Sequence, residues 1–193
     1  MSEFRLTGVE EMEREIERAS KYLVGIPRGT ERAVMHAFNR AVSSGKKAGS
    51  RAARKIYTLP DKRIQKTFRI RRANTKNLEA SLESRDTRVA LHLFSHNPKA
   101  DTTGGRRRQV RVAVKRGGKK PIGQGFIHEG RIFQRVGKSS YPVQFLHGVA
   151  VPVMLNKPQV VDAVQNAQME KAVERLDHEV SRLLAGHEGV KKW

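Results

Sequence analysis

The chain has 193 residues, 37% of them hydrophobic, no cysteine, and 39 Lys and Arg against 19 Asp and Glu, for a formal net charge of +20. That length suits one domain with a buried core, and the lack of cysteine excludes disulfides, thiolate catalysis and cysteine-ligated metals. No apolar run approaches the ~20 residues needed to cross a bilayer. The acidic opening MSEFRLTGVEEMERE is unlike a signal sequence, so a soluble protein made in a cytosol, with no membrane partner, is expected.

The charge is unevenly spread. Residues 1–25 hold four Lys/Arg against six Asp/Glu and residues 158–193 hold five against six, whereas residues 26–157 hold thirty against seven, a net +23. So one-sided a field costs self-repulsion, and a polyanion or an acidic protein surface is the expected counterpart.

A short extended piece around Phe4 to Leu6 precedes an amphipathic helix on which Val9, Met12, Ile16, Ala19 and Leu23 recur at helical spacing. Gly25 and Pro27 end it. A longer helix is predicted over residues 30–57, with Ala33, Val34, Ala37, Phe38, Ala41, Val42, Ala48, Ala52 and Ile56 on its apolar side and a candidate kink at Ser43-Ser44-Gly45. Lys46, Lys47, Arg51, Arg54 and Lys55 spread around its later turns and leave an Ala-rich seam. That seam fits close helix packing or a solvated basic helix. Pro60 stops this helix and starts a short third one over residues 61–67.

Residues 78–82, 89–94 and 110–114 alternate or run apolar over strand lengths. The segment 95–109 reads as a loop and continues into a basic stretch containing Arg106, Arg107, Arg108, Arg111, Lys115, Arg116, Lys119 and Lys120, with no acidic residue among them. Next comes a hairpin with Glu129-Gly130 as its two-residue turn, which sets Ile127 opposite Ile132 and Phe126 opposite Phe133. Each face thus carries one apolar pair. One face covers the core, and the other, where Arg131 and Arg135 flank the Phe rings, covers a helix or a neighbouring subunit. After a polar turn at residues 137–140, Tyr141-Pro142 leads into a strand over residues 143–146. A closing helix spans residues 152–186, with Pro158 in a first turn, an apolar stripe of Val160, Val161, Val164, Met169, Val173, Leu176, Val180 and Leu183, and Gly186 as its stop.

The fold expected is α+β in a single domain. Two N-terminal helices and a short third occupy residues 1–67. A mostly antiparallel sheet of five or six strands with a basic loop at 95–125 fills residues 68–151, followed by a long C-terminal helix and a tail at 187–193.

Catalytic constellations fail on spacing. His128-Glu129 lacks a second His at position 132, and Gly45-Lys46, Gly118-Lys119 and Gly137-Lys138 each lack the earlier glycine of a phosphate loop. Gly137 to Tyr141 lacks the closing glycine of a nucleophile elbow. His96-Asn97 has no accompanying acidic cluster. The expectation is no enzyme, no metal and no cofactor. The basic stretch offers cations for phosphate without aromatic residues interleaved for base stacking, so it fits sequence-neutral duplex DNA, an acidic protein surface, or a solvated loop.

Gly125-Phe126-Ile127, Phe133-Gln134-Arg135-Val136, Gly137-Lys138, Tyr141-Pro142-Val143 and the hydrophobic run into Pro152 resemble, in order and side chains, the minor tail protein Z family of long-tailed bacteriophages. PDKRIQKTFRIRRANTKN resembles the family's basic helix, Arg-rich strand and Ala-x-x-x-Asn element, here Ala73 and Asn77. The resemblance implies a structural virion component made in the bacterial host. It implies a homo-oligomeric ring, sixfold, at the head-proximal end of the tail, contacting other tail or neck proteins and helping head-tail joining and DNA positioning. Arg106, Arg107, Arg108, Arg111, Lys115, Arg116, Lys119 and Lys120 are the candidate contacts to DNA or a partner; Phe126, Phe133, Arg131 and Arg135 are the candidate subunit interface. The alternative is a non-enzymatic, sequence-neutral nucleic-acid-binding protein.

Overall fold

The computed structural model describes residues 2–5, 10–99, 102 and 109–188. The class is α+β, and every strand pairing among the described residues is antiparallel. The strands form four small sheets where the sequence suggests one of five or six strands. The chain separates into two compact units, one built from Ser50–Thr67 and Arg85–Lys157, the other from Ser2–Gly49, Phe68–Ser84 and the C-terminal helix.

In the helix-rich unit, α1 (Glu10–Tyr22) packs against α5 (Pro158–Glu188), and most of α2 (Gly29–Ile56) belongs here too. Met12, Ala19 and Leu23 are buried, as are Ala33, Val34, Ala37, Phe38, Ala41 and Val42 of α2. No break occurs at Ser43-Ser44-Gly45. Ser43 Oγ donates to the Asn39 carbonyl at 3.0 Å, and Gly45 admits the side chain of Gln168, whose Cγ would lie 2.7 Å from a Cβ there. The glycine is a notch for a neighbouring helix, so this part of the seam packs closely.

The predicted stripe on the last helix needs correction. Its buried line runs Val160, Val164, Gln168, Ala172, Leu176, Glu179, Leu183, and Met169 and Val180 are only half-buried. Two polar residues lie inside: Gln168 fits the notch sterically, its Nε2 buried without a hydrogen-bond partner among the described residues, whereas Glu179 accepts from Arg182 Nε at 2.8 Å and Nη2 at 2.6 Å and pairs with Arg175. The helix also continues past Gly186.

A three-stranded sheet completes this unit, with β3 (Ser81–Ser84) between β1 (Ser2–Arg5) and β2 (Phe68–Arg71). All four residues of β3 are buried, and Glu83 is neutralised by Arg71 at 3.1 Å. Asn39 clamps the chain beyond β2, its Nδ2 donating to the Ala73 carbonyl at 3.0 Å and its Oδ1 accepting from the Ala73 amide at 2.9 Å. The Asn77 Oδ1 then accepts from the Glu79 amide at 3.1 Å, closing a local turn.

The sheet-rich unit begins with the last turns of α2 and the short α3 (Asp61–Gln65), whose Asp61 accepts from Ser50 Oγ. Strand β4 (Arg88–Ala90) pairs with β11 (His147–Ala150). The strand expected to reach residue 94 instead gives way to a 3-10 turn at Leu91–Leu93, closed by the Phe94 amide donating to the Leu91 carbonyl at 3.1 Å. β5 (Ser95–Asn97), β6 (Arg111–Ala113) and β7 (Lys120–Pro121) form a second small sheet. β8 (Gly125–His128), β9 (Arg131–Arg135) and β10 (Val143–Phe145) form a third, and α4 (Val151–Leu155) follows β11. Tyr57, Leu59, Ile64, Phe94, Val110, Ile127, Ile132, Met154 and Leu155 make the core.

Candidate functional site

The β8–β9 hairpin has the register that its turn predicts. Glu129 and Gly130 both take positive φ, 48° and 70°, the backbone that a tight two-residue loop requires, and Phe126 pairs with Phe133, Ile127 with Ile132 and His128 with Arg131. Side chains alternate across the strands, so the two pairs face opposite ways. Ile127 and Ile132 are fully buried, while Phe126 and Phe133 are half-buried.

The Phe face is extended by a residue the sequence did not single out. β10 brings Phe145 opposite Phe133, and the three rings form a ladder across the sheet with centroid spacings of 5.7 and 5.4 Å. His147 meets Phe145 edge-on at 4.6 Å, and the Arg135 guanidinium lies 4.8 Å from the Phe126 centroid. Arg131 is exposed in the row beside the ladder. Burial, and then the charges of His96 and Arg131, hold His92 below the ordinary imidazole range, and its ring sits 6.1 Å from Phe145. The ring faces are occupied by one another and by Arg135, which suits a packing surface better than insertion of bases. Next to the ladder opens a groove of about 800 Å³ lined by Phe126, Phe133, Arg135, Lys138, Tyr141 and Val143 among others.

The basic residues divide. Arg106, Arg107 and Arg108 lie outside the described residues. Arg111, Lys115, Arg116 and Lys120 are exposed and Lys119 is half-buried. Around a turn at Gly117-Gly118, Lys115 bridges to Tyr57, and Arg116 caps the end of α2, its amide donating to the Ile56 carbonyl at 2.8 Å and its Nε to the Arg54 carbonyl at 2.7 Å. A cation there complements the negative end of the helix dipole. The same contacts bring Lys115 and Arg116 beside the exposed Arg51, Arg54 and Lys55, giving one basic surface from segments about sixty residues apart. Nothing local in the sequence signalled that juxtaposition.

His96 is buried, with Nδ1 2.9 Å from the Phe94 carbonyl oxygen, so its ring is committed to packing. Among the described residues, no group of three or more His, Asp or Glu is placed to hold a metal ion, and no helix is long and apolar enough to cross a membrane.

The sequence profile of the prophage minor tail protein Z family matches residues 12–186, nearly the whole chain. The chain belongs to that family. The match spans the helices, the aromatic ladder and the basic surface alike. No curated protein and no solved structure matches the chain.

Proposed function

We propose that this minor tail protein assembles with copies of itself into a ring, sixfold, at the head-proximal end of the phage tail, where it helps join tail to head and position the DNA. Its role is structural, not catalytic, and its place is the virion. One observation carries the self-association: Phe126, Phe133 and Phe145 stand half-exposed as a stacked ladder, flanked by Arg131 and Arg135, on a sheet whose opposite Ile127 and Ile132 are fully buried. A monomer leaves much of that ring surface in water, and a neighbour that covered it would remove the cost.

The basic surface of Arg51, Arg54, Lys55, Lys115 and Arg116, with Arg111, Lys119 and Lys120, supports the DNA-facing part of the role. Clustered cations without free ring faces bind phosphate without reading bases. Native mass spectrometry of the purified chain across concentration tests the assembly, with Phe133→Glu expected to impair it more than Arg131→Glu. A chain that stays strictly monomeric, both in solution and in assembled particles, would overturn the reading.

A further inference from the structure

Two exposed apolar patches of opposite electrostatic character stand out, one in each compact unit. In the sheet-rich unit, Val136, Tyr141 and Val143 are 65%, 79% and 38% exposed. Tyr141 and Val143 line the groove beside the aromatic ladder, whose lining includes Arg135 and Lys138 and, among the described residues, no Asp or Glu. In the helix-rich unit, Tyr22 and Val24 are 56% and 81% exposed at the end of α1. Tyr22 lines a cleft of about 320 Å³ between α1 and α5 together with Val180, Leu184, Glu15, Asp177 and one cation, Arg18, which pairs with Glu15 at 3.4 Å.

The surroundings sharpen the contrast. By sequence, α1 carries five Glu against three Lys/Arg, and α5 carries six Asp/Glu against three. Within those helices Glu13, Glu17, Glu170, Glu174 and Asp177 are exposed. Arg14, Arg18, Lys21 and Arg182 are exposed there too, so the helix pair that holds the second apolar patch is mildly acidic where the middle of the chain is strongly basic.

We propose that the groove beside the ladder receives the α1–α5 helix pair of a second copy of this chain, with Tyr141 and Val143 set against Tyr22, Val180 and Leu184, and Lys138 and Arg135 facing Asp177. The inference rests on the self-association proposed above and names its two surfaces. Apolar centres with charges of opposite sign around them are the arrangement that gives an interface both adhesion and register. Because each copy offers one groove and one helix pair, the contact can repeat head to tail as a ring requires; a two-fold dimer would instead seat groove on helix pair twice, reciprocally, and the mass of the assembly separates the two.

The test uses two full-length variants, Tyr141→Ala/Lys138→Glu in the groove and Tyr22→Ala/Asp177→Lys on the helices, each checked for native circular dichroism and thermal unfolding. All substituted side chains are exposed or at a rim, so folding should survive. Native mass spectrometry of each variant alone should show self-association weakened tenfold or more. An equimolar mixture should form a heterodimer at near wild-type affinity and grow no further, since only one intact groove and one intact helix pair meet. A mixture that forms no complex, or either variant assembling like the wild type, overturns the proposal. If only the groove variant fails, self-association stands but the helix pair is not its occupant. A wild-type chain that never associates removes the underlying reading as well.

Discussion

Ile132 and Phe133 are adjacent on β9 and point to opposite sides of the sheet, so truncating each to alanine should separate folding from assembly. Ile132 is fully buried, and Ile132→Ala removes three carbons from a closed core. Such changes cost about 2–5 kcal/mol through lost transfer energy and residual cavity. Phe133 is half-buried and makes two ring contacts, to Phe126 at 5.7 Å and Phe145 at 5.4 Å. The two aromatic pairs contribute about 1–3 kcal/mol beyond area burial and the buried half of the ring about 1 kcal/mol more, so Phe133→Ala should cost the monomer about 2–4 kcal/mol. Urea unfolding at a concentration that keeps the wild type monomeric reads the first effect, and native mass spectrometry at high concentration reads the second. Both variants should lower the unfolding midpoint, but Ile132→Ala should still assemble when folded, whereas Phe133→Ala should lose self-association. The reasoning is refuted if Phe133→Ala destabilises the monomer as much as Ile132→Ala and leaves association unchanged, since the Phe face would then be ordinary core.

Glu179→Gln should destabilise by about 1–3 kcal/mol at neutral pH, toward the low end because Arg175 and Arg182 are partly exposed and can rehydrate. Burial raises the Glu179 pKa, but the Arg182 hydrogen bonds and the charges of Arg175, Arg182 and His36 outweigh it, so the folded value lies below the ordinary 4.5. The charge contribution is therefore complete above about 4.5 and lost as pH falls through the lower folded value. The wild-type advantage in urea should shrink only under acid, and a gap constant down to pH ~2 would exclude this origin. Asn39→Ala removes both bonds to Ala73 and should cost about 1–3 kcal/mol, with faster hydrogen exchange at the Ala73 amide; unchanged exchange there would show that the clamp is not needed. Binding of duplex DNA should be sequence-neutral and fall steeply with salt. Replacing Arg106, Arg107 and Arg108 with Gln, or separately Arg51, Lys55 and Lys115, should lower the log-log slope by up to about three if all three touch phosphate. An unchanged slope, with docking to the neighbouring tail protein lost instead, would make these residues a protein-binding surface.

Much of the fold was legible because its signals are local. Glu129-Gly130 and the alternation around it determined the hairpin register, Pro60 marked the boundary between α2 and α3, and the spacing from Val9 to Leu23 marked α1. The interior of α5 was not legible, because Gln168 and Glu179 are buried through contacts that no stripe encodes: a steric notch at Gly45 of α2 receives one, and Arg175 and Arg182 pair with the other. A hydrophobic stripe cannot announce a polar residue admitted by a notch on another helix or paired with nearby cations. The candidate surface was half legible. Phe126 and Phe133 followed from the hairpin, but Phe145 joins them through a pairing across the polar turn, and Arg116 reaches the end of α2 through a long-range contact. Division of the strands into four sheets likewise depends on which edges meet, and alternation along a strand does not specify its neighbour.

The claim that this chain is a ring-forming component at the head-proximal end of the tail is tested most directly by electron microscopy of purified particles carrying a gold-labelled tag on it. The account predicts label confined to the end of the tail nearest the head, in several copies per particle and absent from particles assembled with Phe133→Glu. Label spread along the tube or at the distal tip, or particles that complete without the protein, would contradict it.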